Sequence, residues 1–119
     1  MTIPFYFEKN KLIERKKGGT LELRGDHLVF RTDTAEEPLH LPLTQIKYIS
    51  FEKQLLGAKI TIHTLKREFA AAFTGEDDVS FTLNIKKAQA PEAESFVRFL
   101  KLRLAETIVR GLSENPYEQ

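Results

Sequence analysis

The sequence contains no cysteine and no long apolar run. Without cysteine the chain has no disulfide and no thiolate metal site, which favours a reducing compartment. No stretch approaches the roughly 18 apolar residues of a transmembrane helix. The opening "MTIPFYFEKNK" holds an apolar patch too short for a secretory signal. These absences predict a soluble cytoplasmic protein, and peripheral membrane association is the alternative.

A charge excess is also lacking, because 18 basic and 17 acidic residues leave a net charge of +1. Nothing in this balance points to nucleic acid. One basic cluster stands near the N-terminus, and it is either a solvated face or a contact for an anionic membrane. The candidate residues for that contact are Lys9, Lys11, Arg15, Lys16, Lys17 and, further along the chain, Arg24.

Catalytic motifs are missing as well. The chain has no G-x-S-x-G turn, no H-E-x-x-H pair, no phosphate-binding glycine loop and no dinucleotide fingerprint. Its three histidines, His27, His40 and His63, fall at outward positions of predicted strands without metal-ligand spacing. The sequence therefore predicts a protein that is not an enzyme and that holds no metal and no cofactor.

What the sequence does contain is an alternation of apolar and polar residues from Gly19 to Ile85. This period of two predicts short antiparallel strands with one packed face and one wet face. Turns are predicted at Gly25–Asp26 and at an exposed apolar tip formed by Leu55 and Leu56. A break in phase after Ile46 indicates a bulge or burial on both faces. The seven predicted strands cover residues 20–24, 27–32, 39–43, 45–52, 59–64, 68–75 and 79–85.

A long amphipathic helix is predicted to follow, beginning near Pro91 and ending near Gly111. At 100° per residue, one apolar stripe is expected to cover the sheet: Ala93, Phe96, Val97, Leu100, Leu104 and Ile108. A second stripe lies roughly opposite, formed by Phe99, Leu102, Ala105 and Val109. It has three explanations: burial under the N-terminal "IPFYF", contact with a partner or another copy, or scattered exposure.

The run "GTLELRGDHLVFRT", then "LHLPLTQIKYISF", then "AKITIHTLKREFAAAF", then a helix from "PEAESFVRFLKLRL" resembles bacterial pleckstrin-homology-like and GRAM-like domains. The resemblance implies a mostly β, seven-stranded antiparallel barrel capped by one C-terminal α-helix. The domain would span residues 18–112. A lead-in segment at 1–17, either a short helix or a strand, would precede it, and a flexible tail at 113–119 would follow.

Members of such families bind phosphoinositide headgroups, peptides or proteins, so the resemblance implies a binding module. The turn "RGD" is too short to wrap a multiply phosphorylated headgroup. The principal prediction is therefore a scaffold that contacts a protein partner or another copy through Phe99, Leu102, Val109, Leu55 and Leu56. The alternative is an anionic-membrane module that uses the basic N-terminal segment. A ligand carrier would have only the cavity of the barrel to support it.

Overall fold

The computed structural model describes residues 2–7, 17–32, 36–74 and 79–114. Seven strands form one antiparallel sheet in the order β4-β3-β2-β1-β7-β6-β5. Two short 3-10 turns, Leu43–Gln45 and Lys87–Gln89, follow β4 and β7. The elements are β1 Thr2–Phe7, β2 Lys17–Arg24, β3 His27–Thr32, β4 Leu39–Pro42, β5 Ile46–Gln54, β6 Gly57–Thr64, α1 Arg67–Thr74, β7 Ser80–Lys86 and α2 Ala90–Glu114.

The structure confirms six of the seven strands that the alternation of apolar and polar residues predicts. Pro42 ends β4, which is an edge strand where a missing N–H costs no ladder bond. The phase break after Ile46 is a register shift between Ile46 and Tyr48 in the pairing of β5 with β6. Leu55 and Leu56 form the tight turn between these two strands, as predicted.

One predicted strand is wrong, because the segment "REFAAAFT" forms helix α1. The phenylalanines alternate with alanines, but they are also four residues apart, which is the spacing of one helix face. Three consecutive alanines between them favour a helix, since alanine has the highest helix propensity. Ala70 is fully buried in the core, so α1 packs against the sheet.

The seventh strand is β1, within the segment whose structure the sequence left open between helix and strand. β1 lies in the middle of the sheet, paired along its length with β2 and through Tyr6 and Asn84 with β7. Ile3 and Phe5 belong to the hydrophobic core. Thr2–Phe7 is thus an internal strand of the sheet, and residues 8–16 of the lead-in segment lie outside the described residues.

The sheet is strongly bent. Phe30 of β3 packs edge-on against Phe81 of β7, with ring centroids 5.7 Å apart. In a flat sheet these strands would be separated by three strand spacings, or about 14 Å. The edge strands β4 and β5 do not pair with each other among the described residues, so the sheet is open. Closure into a barrel is not observed.

Helix α2 covers the inside of the bend. Ala93, Phe96, Val97 and Leu100 are all buried in the core, as the first apolar stripe predicts. The helix continues past Gly111 to Glu114, so the predicted stop is three residues early. The residues that follow, 115–119, lie outside the described part of the chain.

We expect Ile3→Ala to reduce the free energy of unfolding by about 2–5 kcal/mol, the cost of emptying a packed aliphatic site. Ile3 is fully buried in an internal strand. The neighbouring Thr2 is exposed, so Thr2→Ala is the matched control and should change stability by less than about 0.5 kcal/mol. Urea denaturation measures both. A loss below about 1 kcal/mol for Ile3→Ala would show that β1 does not support the core.

Leu100→Ala should also cost about 2–5 kcal/mol, because Leu100 is fully buried where α2 packs on the sheet. Leu102→Ala, two residues along the same helix, removes a side chain that is 64% exposed. Its expected effect is within about 0.5 kcal/mol. Thermal or urea unfolding of the two variants should therefore separate clearly. Equal losses would contradict the assignment of these two faces.

Candidate functional site: the projecting end of the C-terminal helix

The first half of α2 is fixed by local sequence and by burial. Pro91 occupies the first turn, where its missing N–H has no helical acceptor to lose. Glu92 lies near the positive end of the helix dipole. From Ala93 to Leu100 the inward face is buried against the bent sheet. This part of the helix therefore has a fixed position.

The second half extends beyond the sheet. Leu104 is only partly buried, and Ile108 is 61% exposed. The prediction that Ile108 completes the core stripe is therefore wrong. The reason is length: 25 residues at 1.5 Å per residue make a helix of about 37 Å, and Leu104 is the last of its described apolar residues to pack against the core. We call residues 102–114 the projecting end.

The turn between β2 and β3 holds the base of the projecting end. Arg103 donates from Nη2 to the carbonyl of Gly25 at 3.2 Å and to Oδ1 of Asp26 at 2.9 Å. Nη1 of Arg110, two turns later, lies 3.9 Å from Oδ2 of the same aspartate. Gly25 has φ +58°, which glycine adopts without strain. These partners are far apart in sequence, and no local pattern predicts them.

Such exposed ion pairs contribute little to stability, typically 0–1 kcal/mol each. Their effect is geometric, because both join α2 to the turn between β2 and β3. Asp26 receives both arginines on one carboxylate. The turn between β2 and β3 is therefore already in contact with two cations of the same chain.

Phe99 belongs to a cleft on the side of α2 that faces this turn. The cleft holds about 380 Å³ and is lined by Leu23, Gly25, Phe96, Phe99 and Arg103. Phe99 remains 50% exposed. One side of Phe99 thus lies against the β2–β3 hairpin, although on the helix surface Phe99 remains a neighbour of Leu102, three residues later.

The other residues of that stripe form a continuous outer face. Leu102 is 64% exposed and Val109 is 60% exposed, with exposed Ala105 between them. On a helical wheel they lie opposite Leu100. We call Leu102, Ala105 and Val109 the outer seam. Ile3 and Phe5 of the N-terminal strand are buried inside the sheet, so they are not available to cover the outer seam.

Leu55 and Leu56 are highly exposed, but they lie at a different end of the molecule. Nζ of Lys53, just before this turn, is 3.7 Å from Oε1 of Glu94 near the start of α2. Arg103, at the base of the projecting end, contacts the opposite turn. The helix covers about 13 Å between Glu94 and Arg103. The predicted interface residues therefore divide into two separate surfaces.

Of the candidate membrane contacts, Lys9, Lys11, Arg15 and Lys16 lie outside the described residues, and only the backbone of Lys17 is described. Arg24 is exposed, and its Nε lies 3.1 Å from Oε1 of Glu22. It is thus already paired with a carboxylate. Within the described residues, no helix has the length and apolar character needed to cross a bilayer.

The three histidines do not come together at one site. His27 and His40 are cross-strand neighbours on β3 and β4, with ring centroids 6.2 Å apart. His63 stacks on Tyr48 in the other half of the sheet, at 4.1 Å. Among the described residues no three histidine, aspartate or glutamate side chains group as metal ligands would.

A second cleft of about 540 Å³ lies beside β1, and its one charged lining residue among those described is Lys86. The cleft at Phe99 likewise has one charged lining residue, Arg103, which is bound to Asp26. Histidine and the carboxylates are the most frequent general acids and bases, and lysine and tyrosine can also serve. Among the described residues, neither cleft is lined by a histidine or a carboxylate, and the second cleft is lined by Tyr6 and Lys86.

We expect no stereospecific phosphoinositide binding. The β2–β3 turn consists of Gly25 and Asp26, and two residues are too few to enclose a headgroup. The test is sedimentation with vesicles that contain one phosphoinositide isomer at a time, at low and at physiological salt. Any binding should be similar for all isomers and should fall as salt screens the charges. A salt-resistant preference for one isomer would contradict this expectation.

Comparison with known proteins identifies no relative of this chain. No family model matches it, and no curated protein or solved structure is significantly similar.

Proposed function

We propose that this chain is a non-enzymatic binding module of the pleckstrin-homology-like type, and that it acts by contacting protein through the projecting end of α2. Two features support the type of module: a bent seven-stranded antiparallel sheet, and a C-terminal helix packed inside the bend. The proposal includes closure of the sheet into a barrel, which the pairing of the described strands does not show.

The observation that carries the proposal is the exposure of the outer seam. Leu102 and Val109 lie on an ordered helix face that points away from the core, with most of their surface in contact with water. A helix that only covers a sheet is normally polar on that side. Apolar residues that recur along one exposed face are typical of a surface that is buried on association.

The charges around the outer seam favour a protein partner over a bilayer. Helices that lie on membranes carry a cationic polar face beside a broad apolar one. Here the outer seam is narrow, and Glu106 borders it together with Arg98 and Lys101. Mixed charges beside a narrow apolar strip are the arrangement of a modest, reversible protein contact.

Site-specific photocrosslinking in cells tests the proposal. A photoreactive residue at Leu102 should give protein adducts, because that position is buried on association. The matched control is the same residue at Leu65, which is 57% exposed but lies after β6 and outside the outer seam. Adducts at Leu102 that are no stronger than those at Leu65 would overturn the proposal. An activity that turns over a small molecule would overturn its non-enzymatic part.

A further inference from the structure

We infer that the occupant of the outer seam is a second copy of this chain, with the two projecting ends paired side by side and in parallel. This inference rests on the proposed function, because it names the partner of the same surface. Three observations support it: the spacing of the outer seam, the charges on its two sides, and its position relative to the sheet.

The spacing is that of a coiled-coil seam. Leu102, Ala105 and Val109 are separated by three and then four residues. In heptad notation, Leu102 and Val109 take position a, and Ala105 takes position d.

The charged residues beside the outer seam select the parallel orientation. Lys101 takes position g and Glu106 takes position e of the next heptad. In a parallel pair, g of one helix faces this e position of the other. Lys101 of each copy would thus face Glu106 of its partner, and two-fold symmetry makes two such pairs. Both side chains are exposed, and within the described residues neither forms an ion pair with its own chain.

An antiparallel pair centred on the outer seam would be less favourable. In that arrangement e positions face e positions, so Glu106 would lie near the same residue of the other copy. Like charges in such positions destabilise a helix pair. The outer seam is therefore charge-complementary to itself only in the parallel orientation.

The position of the outer seam leaves room for the two domains. The sheet packs on the opposite side of α2, against Ala93, Val97 and Leu100. A two-fold axis parallel to the helices would place the two sheets on the outside of the helix pair. Towards the N-terminus the same heptad positions hold Ser95 and Arg98, and Arg98 lies 3.6 Å from Glu94 of its own chain. The pair is therefore confined to the projecting end.

Sedimentation equilibrium of the full chain measures the pairing. Across about 5–500 µM, the range of a small reversible contact, the mass should rise towards twice that of one chain. Leu102→Glu should weaken dimerisation at least about tenfold, since it places a charge at a central position. Leu65→Glu is the control and should leave the dissociation constant unchanged. A wild type that stays monomeric throughout, or an unaffected Leu102→Glu that keeps native circular dichroism, would overturn the inference.

Charge reversal tests the parallel orientation without placing any charge in the apolar seam. Lys101→Glu and Glu106→Lys should each weaken dimerisation by about fivefold at low salt, because both symmetric pairs become like-charged. An equimolar mixture of the two variants should dimerise as tightly as wild type, since each heterodimer contains two opposite-charge pairs. A mixture no tighter than the single variants would overturn the parallel pairing.

Photocrosslinking separates failure of this inference from failure of the proposed function. Adducts from position 102 at twice the mass of the chain support self-pairing. Adducts only with other proteins overturn self-pairing and leave the proposed protein-contact function standing. Adducts with neither, in a chain that is monomeric in sedimentation, overturn both.

Discussion

The fold depends on the aromatic contact that brings the two halves of the sheet together. Phe30 packs edge-on against both Phe5 and Phe81, at 6.2 and 5.7 Å. These three rings come from β3, β1 and β7, so their meeting requires the sheet to bend around them. Edge-to-face packing adds about 0.5–1.5 kcal/mol per pair to the burial of the rings. The bend in turn creates the concave surface that α2 fills.

The same bend explains why the N-terminal strand is internal. β1 is bonded along its length to β2 but pairs with β7 only through Tyr6 and Asn84, whose amide Nδ2 donates to the carbonyl of Tyr6 at 3.3 Å. A sheet that bends sharply loses ladder pairing at the line of the bend. β1 provides that line, and Ile3 and Phe5 fill the core beside it.

Sequence periodicity was sufficient for elements whose burial follows one simple period. It predicted β2 to β7, the turn at Leu55 and Leu56, and the buried face of α2 up to Leu100. It failed at "REFAAAFT", where alternation and helical spacing coincide and alanine propensity decides for the helix. It also failed at Ile108, because a wheel shows which face is apolar but not where the covering sheet ends. The contacts of Asp26 with Arg103 and Arg110 depend on the tertiary fold alone.

The candidate site was partly predictable for the same reason. Leu102 and Val109 were correctly separated from the core stripe, since the period of the helix fixes their direction. Phe99 was grouped with them, yet the cleft beside Leu23 and Arg103 gives it a different environment. The environment of a side chain at the boundary between two helix faces depends on which neighbouring element contacts it. For Phe99 that element is the β2–β3 hairpin, which the sequence of α2 does not contain.

The projecting end has an energetic consequence that links the fold to association. An isolated helix of 13 residues is marginal in water, because the first turn is costly to form. Here the buried half of α2 has already formed that turn, so residues 102–114 only extend an existing helix. The contacts of Asp26 hold the base of this extension in place. The outer seam is thus ordered before a partner arrives, which lowers the entropic cost of binding. The burial of the first half of α2 therefore both stabilises the domain and orders the narrow surface that a partner contacts.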